Sequence, residues 1–259
     1  MSYIITDTKL DYIADAVRYK CDTNQSMNIS TMIYRISQLV QSEGIIDVSP
    51  YSGDMALWYA VRIATFNPNI INTSTMSSMK GMFGSWPFTD TLDFQNFSTS
   101  SATNMEGMFR YNKASTLTNL TSFNTSKVTT MREIFLNCVN ITSLDLSGWD
   151  VSKVTFIDYA FDGCTSLQSI DLSGWVTSAV TDMTRMFCYM RAQGGKIWVP
   201  STFTAGRIPD GVKKPFYADP EGPWHIYTDA TDAVIQGWGT IHRNFTVHNN
   251  STHQDFINA

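Results

Sequence analysis

The residues best placed to do chemistry are three aspartates in one register, Asp93, Asp145 and Asp171, set among hydroxyl and amide side chains. Strand alternation assigns them to outward rows: Thr91, Asp93 and Gln95; Asn119 and Thr121; Ser143, Asp145 and Ser147; Ser169, Asp171 and Ser173. Such an array suits multidentate hydrogen bonding to sugar hydroxyls, and it is also what a solvated sheet face carries in any case. Calcium fits it poorly, because one carboxylate per rung without a DxDxDG loop supplies too few ligands. The histidines, His225, His242, His248 and His253, all lie near the C-terminus. Even spacing would put His242 and His248 on one face of a strand, too far apart to share a metal, and no HExxH or Cys/His spacing accompanies them. They read as surface residues.

Catalytic signatures are missing. The chain has no GxSxG elbow, no P-loop, no GxGxxG after a strand and no distinctive pair of acids for glycoside hydrolysis. It is therefore expected not to be an enzyme and to need no cofactor or metal, with polysaccharide depolymerisation the lesser alternative. Cys21, Cys138, Cys164 and Cys188 show no CxxC spacing and read as reduced and mostly buried.

The elements that must position these residues come from a chain of 259 residues, 43% hydrophobic and only 16% charged, in which Ser, Thr and Asn supply much of the polar surface. A net charge of −5 and no Lys/Arg cluster leave nothing to attract phosphates, so nucleic acid is not an expected partner. The opening MSYIITDTKLDYIADAV lacks a basic n-region and a cleavage site, and no apolar run is long enough to span a bilayer. The expectation is a protein made in the cytoplasm, with no signal peptide and no membrane insertion.

From residue 72 the sequence repeats. Phe83, Phe109, Phe135, Phe161 and Phe187 follow one another at intervals of 26 residues without insertion or deletion. Four residues before each stands Met79, Met105, Met131, Ile157 or Met183, and directly before it Met82, Met108, Ile134, Ala160 or Met186. A fixed period of this length marks stacked supersecondary units, each touching its neighbours. Within a unit, MxxMF spacing predicts one helical turn with an apolar stripe. Ser77, Thr103, Thr129, Thr155 and Thr181 stand as N-caps, and Glu106 and Asp158 at the capping-box position. ITSLDLSGW and LQSIDLSGW then alternate as strands. Stacked, they give inner columns Phe94, Leu120, Leu146, Leu172 and Phe97, Phe123, Trp149, Trp175. Leu117 sits one residue from its expected column, so the first copies should be irregular there.

The remaining chain divides around these repeats. Residues 1–45 predict two short amphipathic helices, the first with Leu10, Ile13, Ala14 and Val17 on one face and the second with Ile29, Met32, Ile33, Ile36 and Leu39. Residues 46–71 read as a linker and N-terminal cap, 72–199 as the repeats, and 200–259 as a β-rich C-terminal cap. In that cap WHIYTDA and TIHRNFTVH are strands either side of a turn or helix at 231–237.

The unit NTSKVTTMREIFLNCVNITSLDLSGWDVSKV closely resembles the BspA-like leucine-rich repeat, the surface-protein repeat known as DUF285. The resemblance implies a right-handed leucine-rich-type solenoid, an α/β repeat, and adhesion to a surface. The N-terminal run Leu10, Ile13, Ala14, Asp15, Ala16, Val17, Arg18 and Lys20 looks like the helical module that opens many minor structural and tail proteins of phages infecting Gram-positive bacteria, with Cys21 in place of the usual Thr. That likeness implies a virion protein of the tail, baseplate or fibre. Its helical module would dock on other virion proteins while the solenoid meets a host cell-surface glycan or protein, cell-wall polysaccharide foremost. A homo-oligomer such as a trimer would add avidity. The alternatives are a purely structural virion part, such as a head fibre, collar or decoration protein, and a bacterial surface adhesin, which would need an export route.

Overall fold

The computed structural model describes residues 46–47, 71–86, 89–191, 194–205, 214–217 and 219–259. The two helices expected within 1–45 lie outside these residues, as do Cys21 and nearly all of the expected cap at 46–71.

From Thr73 the chain winds into a β-solenoid of about five turns at roughly 26-residue spacing. Parallel bridges join Ser78 to Asn104, Asn104 to Thr130, Thr130 to Phe156 and Phe156 to Asp182 along one side. The other side carries the strands. β1 (Ile46–Asp47) pairs in parallel with β2 (Ile71–Asn72), and β3 (Thr91–Asp93) with β4 (Thr116–Thr118). β5 (Ser143–Asp145), β6 (Ser169–Asp171), β7 (Gly195–Trp198), β8 (Trp224–Tyr227) and β9 (Phe245–His248) form one parallel sheet in chain order. Each strand points an aliphatic residue inward, in the register Leu144, Ile170, Ile197, Ile226 and Val247. The sheet runs across residue 200, so the C-terminal strands stack on the last 26-residue coil as further rungs.

The sheet breaks between β4 and β5 for a local reason. Coil 2 keeps its 26 residues but places one fewer before its strand and one more after it, Asn119, which takes a left-handed φ of 61° ahead of a 3-10 turn at Leu120–Ser122. Asparagine tolerates that conformation better than most residues, and the extra residue is absorbed much as in a β-bulge. This is the origin of the displaced Leu117.

The helical turn expected at MxxMF does not form. In coils 1 to 4 alternate N–H groups are spent on the next coil: Met105, Gly107, Phe109 and Tyr111 donate to the carbonyls of Thr130, Arg132, Ile134 and Leu136 at 2.7–3.1 Å. Between these bonds the chain makes tight turns, Met108 N–H to Met105 and Asn112 N–H to Phe109, with a positive φ at the third position of each. Apolar residues at i, i+3 and i+4 face inward from such turns as they would from a helix, Met105, Met108 and Phe109 among them. The units are thus β-coils, not α/β repeats. The threonines read as caps form a ladder instead: Thr103, Thr129, Thr155 and Thr181 each donate from Oγ1 to the carbonyl of the residue one coil earlier, at 3.0–3.1 Å. The supposed capping acids reach back to cations, Glu106 to Lys80 and Asp158 to Arg132, both at 2.9 Å.

The interior is a set of columns. Phe83, Phe109, Phe135, Phe161 and Phe187 stack with centroids 5.2–5.7 Å apart and planes within 14° of parallel. Phe216 extends the stack at 5.0 Å. Phe123, Trp149 and Trp175 form the parallel aromatic column, and Trp149 and Trp175 donate from Nε1 to the carbonyls of Leu120 and Leu146 at 2.8 and 3.2 Å. Carbonyls left over at the corners are taken by the coil that follows. Asn112 Nδ2, Cys138 Sγ and Cys164 Sγ donate to the carbonyls of Phe83, Phe109 and Phe135. Cys138, Cys164 and Cys188 are free thiols and buried.

The C-terminal region adds α1 (Asp232–Gly237) between β8 and β9, and α2 (His253–Asn258) after β9. Helix α2 opens on a reciprocal capping box between Thr252 and Asp255 and buries Phe256.

Candidate functional site

The nine residues predicted for a ligand face do point away from the buried strand residues. Asn119, Thr121, Ser143 and Asp145 are exposed, and Asp93, Ser147, Ser169, Asp171 and Ser173 half-buried. Ser143 and Asp145 lie beside Ser169 and Asp171 on β5 and β6, and Asp93 on β3 is bonded to Asn119. The aspartates serve their own turns: Asp145 accepts from Ser147 N–H at 3.1 Å and from its hydroxyl at 2.7 Å, and Asp171 accepts from both groups of Ser173. Asp93 accepts from Gln95 N–H at 3.2 Å, Thr118 Oγ1 at 3.1 Å and Asn119 Nδ2 at 2.5 Å. The bonds from the N–H two residues on are Asx-type turns that fix the bend out of each strand, and Thr118 and Asn119 tie Asp93 to the next coil.

Helix α2 occupies the far end of the same face. His253 Nε2 lies 2.6 Å from Asp171 Oδ2, and Lys196 Nζ donates to the carbonyl of Phe256 at 2.7 Å. The Trp198 ring meets His253 at 5.2 Å and is only 5% exposed. Register explains the pairing: Asp145, Asp171, Trp198, Tyr227 and His248 form one outward column. His225 Nδ1 sits 2.9 Å from His248 Nε2, and Tyr227 stacks on His248 at 4.6 Å. Adjacent strands thus pair His225 with His248, where spacing along one strand had singled out His242 and His248. All four histidines are half-buried and hold contacts within the protein. Among the described residues no group of three or more His, Cys, Asp or Glu is placed to hold a metal ion.

A different surface gathers more chemistry, at the corner where the stacked turns meet. A groove of about 500 Å³ crosses coils 2 to 5 there, lined by Tyr111, Glu133, Asn137, Tyr159, Arg185 and Tyr189 among others. Two columns of left-handed residues build it. One runs Gly81, Gly107, Glu133, Tyr159, Arg185 and the other Ser85, Tyr111, Asn137, Gly163, Tyr189, all with φ between 53° and 75°. Coils 1 and 2 place glycine in the first column, the residue such backbone favours. The later coils put Glu, Tyr and Arg there, at a cost of about 1–2 kcal/mol per residue. Gly163 is the opposite case. A Cβ there would collide with the Asn137 side-chain oxygen, so the glycine keeps the floor of the groove open.

The charges that line the groove balance one another. Arg185 pairs with Asp162 at 2.8 Å while its guanidinium lies 5.4 Å from the Tyr159 ring centroid and 5.0 Å from that of Tyr189. Glu133 is held by Arg110 and Arg191 by Glu221, at 2.8 and 2.6 Å. The Asp162 side chain is only 6% exposed, and burial pushes its carboxyl above the ordinary carboxylate range against the pull of Arg185. Tyr111 and Tyr189 remain 48% and 40% exposed, far more than interior aromatics. Exposed rings, donors and acceptors gathered on one corner can bind a ligand.

The family described as "Mycoplasma protein of unknown function, DUF285" matches residues 53–116 and 110–198, together more than half of the chain. No curated protein and no solved structure matches it.

Proposed function

The chain belongs to the DUF285 family of BspA-like repeats, and from that premise we propose that it acts by holding a surface rather than by transforming a substrate. It is an attachment protein whose solenoid is the receptor-binding part, directed at a glycan or protein of a bacterial cell surface. The observation that carries this reading is the corner groove. Tyr159, Glu133 and Arg185 stand at the left-handed positions that Gly81 and Gly107 hold in the first coils, and Tyr111 and Tyr189 at the left-handed position that Gly163 holds in coil 4. Side chains installed at strained positions on an otherwise economical repeat need a reason outside folding.

The setting proposed for this activity is a phage virion, at the tail, baseplate or fibre. Its support is the sequence run from Leu10 to Lys20 and its likeness to phage structural modules. Residues 1–45 would then dock on other virion proteins and leave the solenoid outward. The test is adsorption of the labelled, full-length chain to a panel of Gram-positive cells, joined to labelling of its position on assembled particles. Saturable retention on a subset of strains is expected. A chain that is retained by none of them, while present on particles, is a structural part of the virion and the attachment reading fails.

A further inference from the structure

We propose that the groove across coils 2 to 5 is a binding site for a neutral oligosaccharide, seated between Tyr111 and Tyr189. The inference rests on the reading of the chain as an attachment protein and names the ligand class and the residues. Tyr111 and Tyr189 belong to one column three coils apart, which at the spacing of stacked strands separates them by about 14 Å. A single sugar cannot touch both rings, whereas a short chain of sugars laid along the solenoid axis can.

Between the two rings the column falls to Asn137 and then to Gly163, so the floor dips where the polymer would pass. Tyr159 flanks it from the neighbouring column. Pyranose rings present apolar C–H faces above and below and hydroxyls around the edge. The groove offers the complement: exposed phenol rings for the faces, and the Asn137 amide, the Glu133 carboxylate and the Arg185 guanidinium for the edges.

Charge decides the class. Arg185 and Arg191 balance Glu133 and Asp162 within the lining, and the whole chain is at −5, so neither a polyanion nor a nucleic acid finds a surplus of cations. Preorganisation favours an extended ligand. Tyrosine loses little rotamer entropy on binding, and the Arg185 guanidinium already packs over the rings of Tyr159 and Tyr189.

The experiment is calorimetric titration of the full-length chain with hexasaccharides of β-1,4-linked glucose, β-1,4-linked N-acetylglucosamine and α-1,6-linked mannose, with a heparin hexasaccharide as the charged comparison. At least one neutral hexasaccharide is expected to bind, with little dependence on salt. Tyr189→Ala and Tyr111→Ala should each weaken it about tenfold, a loss of ~1.4 kcal/mol, while Tyr189→Phe should keep most of the affinity. Both tyrosines are surface residues, and unchanged thermal unfolding will show that the variants fold. The site is overturned if no neutral hexasaccharide binds, if the tyrosine variants bind as the parent does, or if only the heparin fragment binds. Cell adsorption separates the two readings. Undiminished adsorption by Tyr111→Ala/Tyr189→Ala leaves attachment standing and removes the groove, whereas sugar binding without any adsorption keeps the groove and removes attachment.

Discussion

Replacing Phe135 by Ala tests the ladder on which the solenoid depends. The ring is wholly buried, lies 5.2 Å from Phe109 and 5.7 Å from Phe161 in nearly parallel planes, and meets Trp149 at 6.0 Å. Phe-to-Ala changes in close-packed interiors cost about 3–5 kcal/mol through lost transfer energy and the cavity left behind. Three ring contacts, each worth roughly 0.5–1.5 kcal/mol beyond buried area, place this one near the upper end of that range. Phe156 supplies the control in the next coil. The residue is 42% exposed, with the Arg132 guanidinium over its ring, so Phe156→Ala should cost less than about 1 kcal/mol. Urea unfolding followed by tryptophan fluorescence reads both. Each coil is held chiefly by its neighbours, so Phe135→Ala should also broaden or split the transition, with coils 1 and 2 melting before coils 4 and 5. Equal midpoints for the two variants would refute the argument that stacked interior rings hold the coils together.

Gly148→Ala should destabilise the protein by about 1–3 kcal/mol, because the new Cβ would stand 2.5 Å from the Thr121 carbonyl oxygen of the preceding coil, a backbone atom that cannot swing aside; thermal unfolding measures it, and an unchanged midpoint would mean that adjacent coils are freer to separate than their hydrogen bonds allow. The second expectation concerns pH. Burial raises the Asp158 and Asp162 carboxyls above their unfolded values, with Arg132 and Arg185 opposing the shift. The folded state therefore binds these protons more tightly, so their contribution favours folding as pH falls through the folded values and is lost again as pH rises through them. Against an Asp158→Asn/Asp162→Asn variant, the parent should gain relative stability on mild acidification, measured as the difference in melting temperature across a pH series. A difference that shrinks or reverses on acidification would contradict the direction.

Much of the fold could be read from spacing because each coil is one unit that must meet its own copy. The interval between phenylalanines gave the stacking axis, and the alternation in ITSLDLSGW gave the inward column of Leu144 and Leu146. The helical turn was misread for a geometric reason: tight turns and a helical turn bring residues i, i+3 and i+4 to one side alike. The deciding signal was Gly81 and Gly107, two residues after the first Met of their coils, where only a left-handed backbone calls for glycine. Glu133, Tyr159 and Arg185 hid it in later copies. Beyond Phe187 the interval to the next stacked ring grows to 29 residues, at Phe216, so the repeat was lost although the strands continued. Helix α2 had a visible start in Thr252 and Asp255, a capping box at the proper spacing, and Phe256 as its buried residue.

The candidate site was legible only in part, and the reason separates the two surfaces. The outward aspartates stood out because they repeat, yet repetition in a solenoid records what every coil needs in order to fold. Asp145 and Asp171 each cap the same bend two residues on, and Asp171 also anchors α2 through His253. The groove residues were overlooked because they do not repeat: Tyr111, Tyr159 and Tyr189 come from two columns and three coils, and only stacking brings them together. Where every copy agrees, packing explains the residue. Where a copy departs from glycine at a left-handed position, as at Tyr159 and Arg185, the shared backbone does not ask for that side chain, and the proposed sugar site gives it a role that the titration tests.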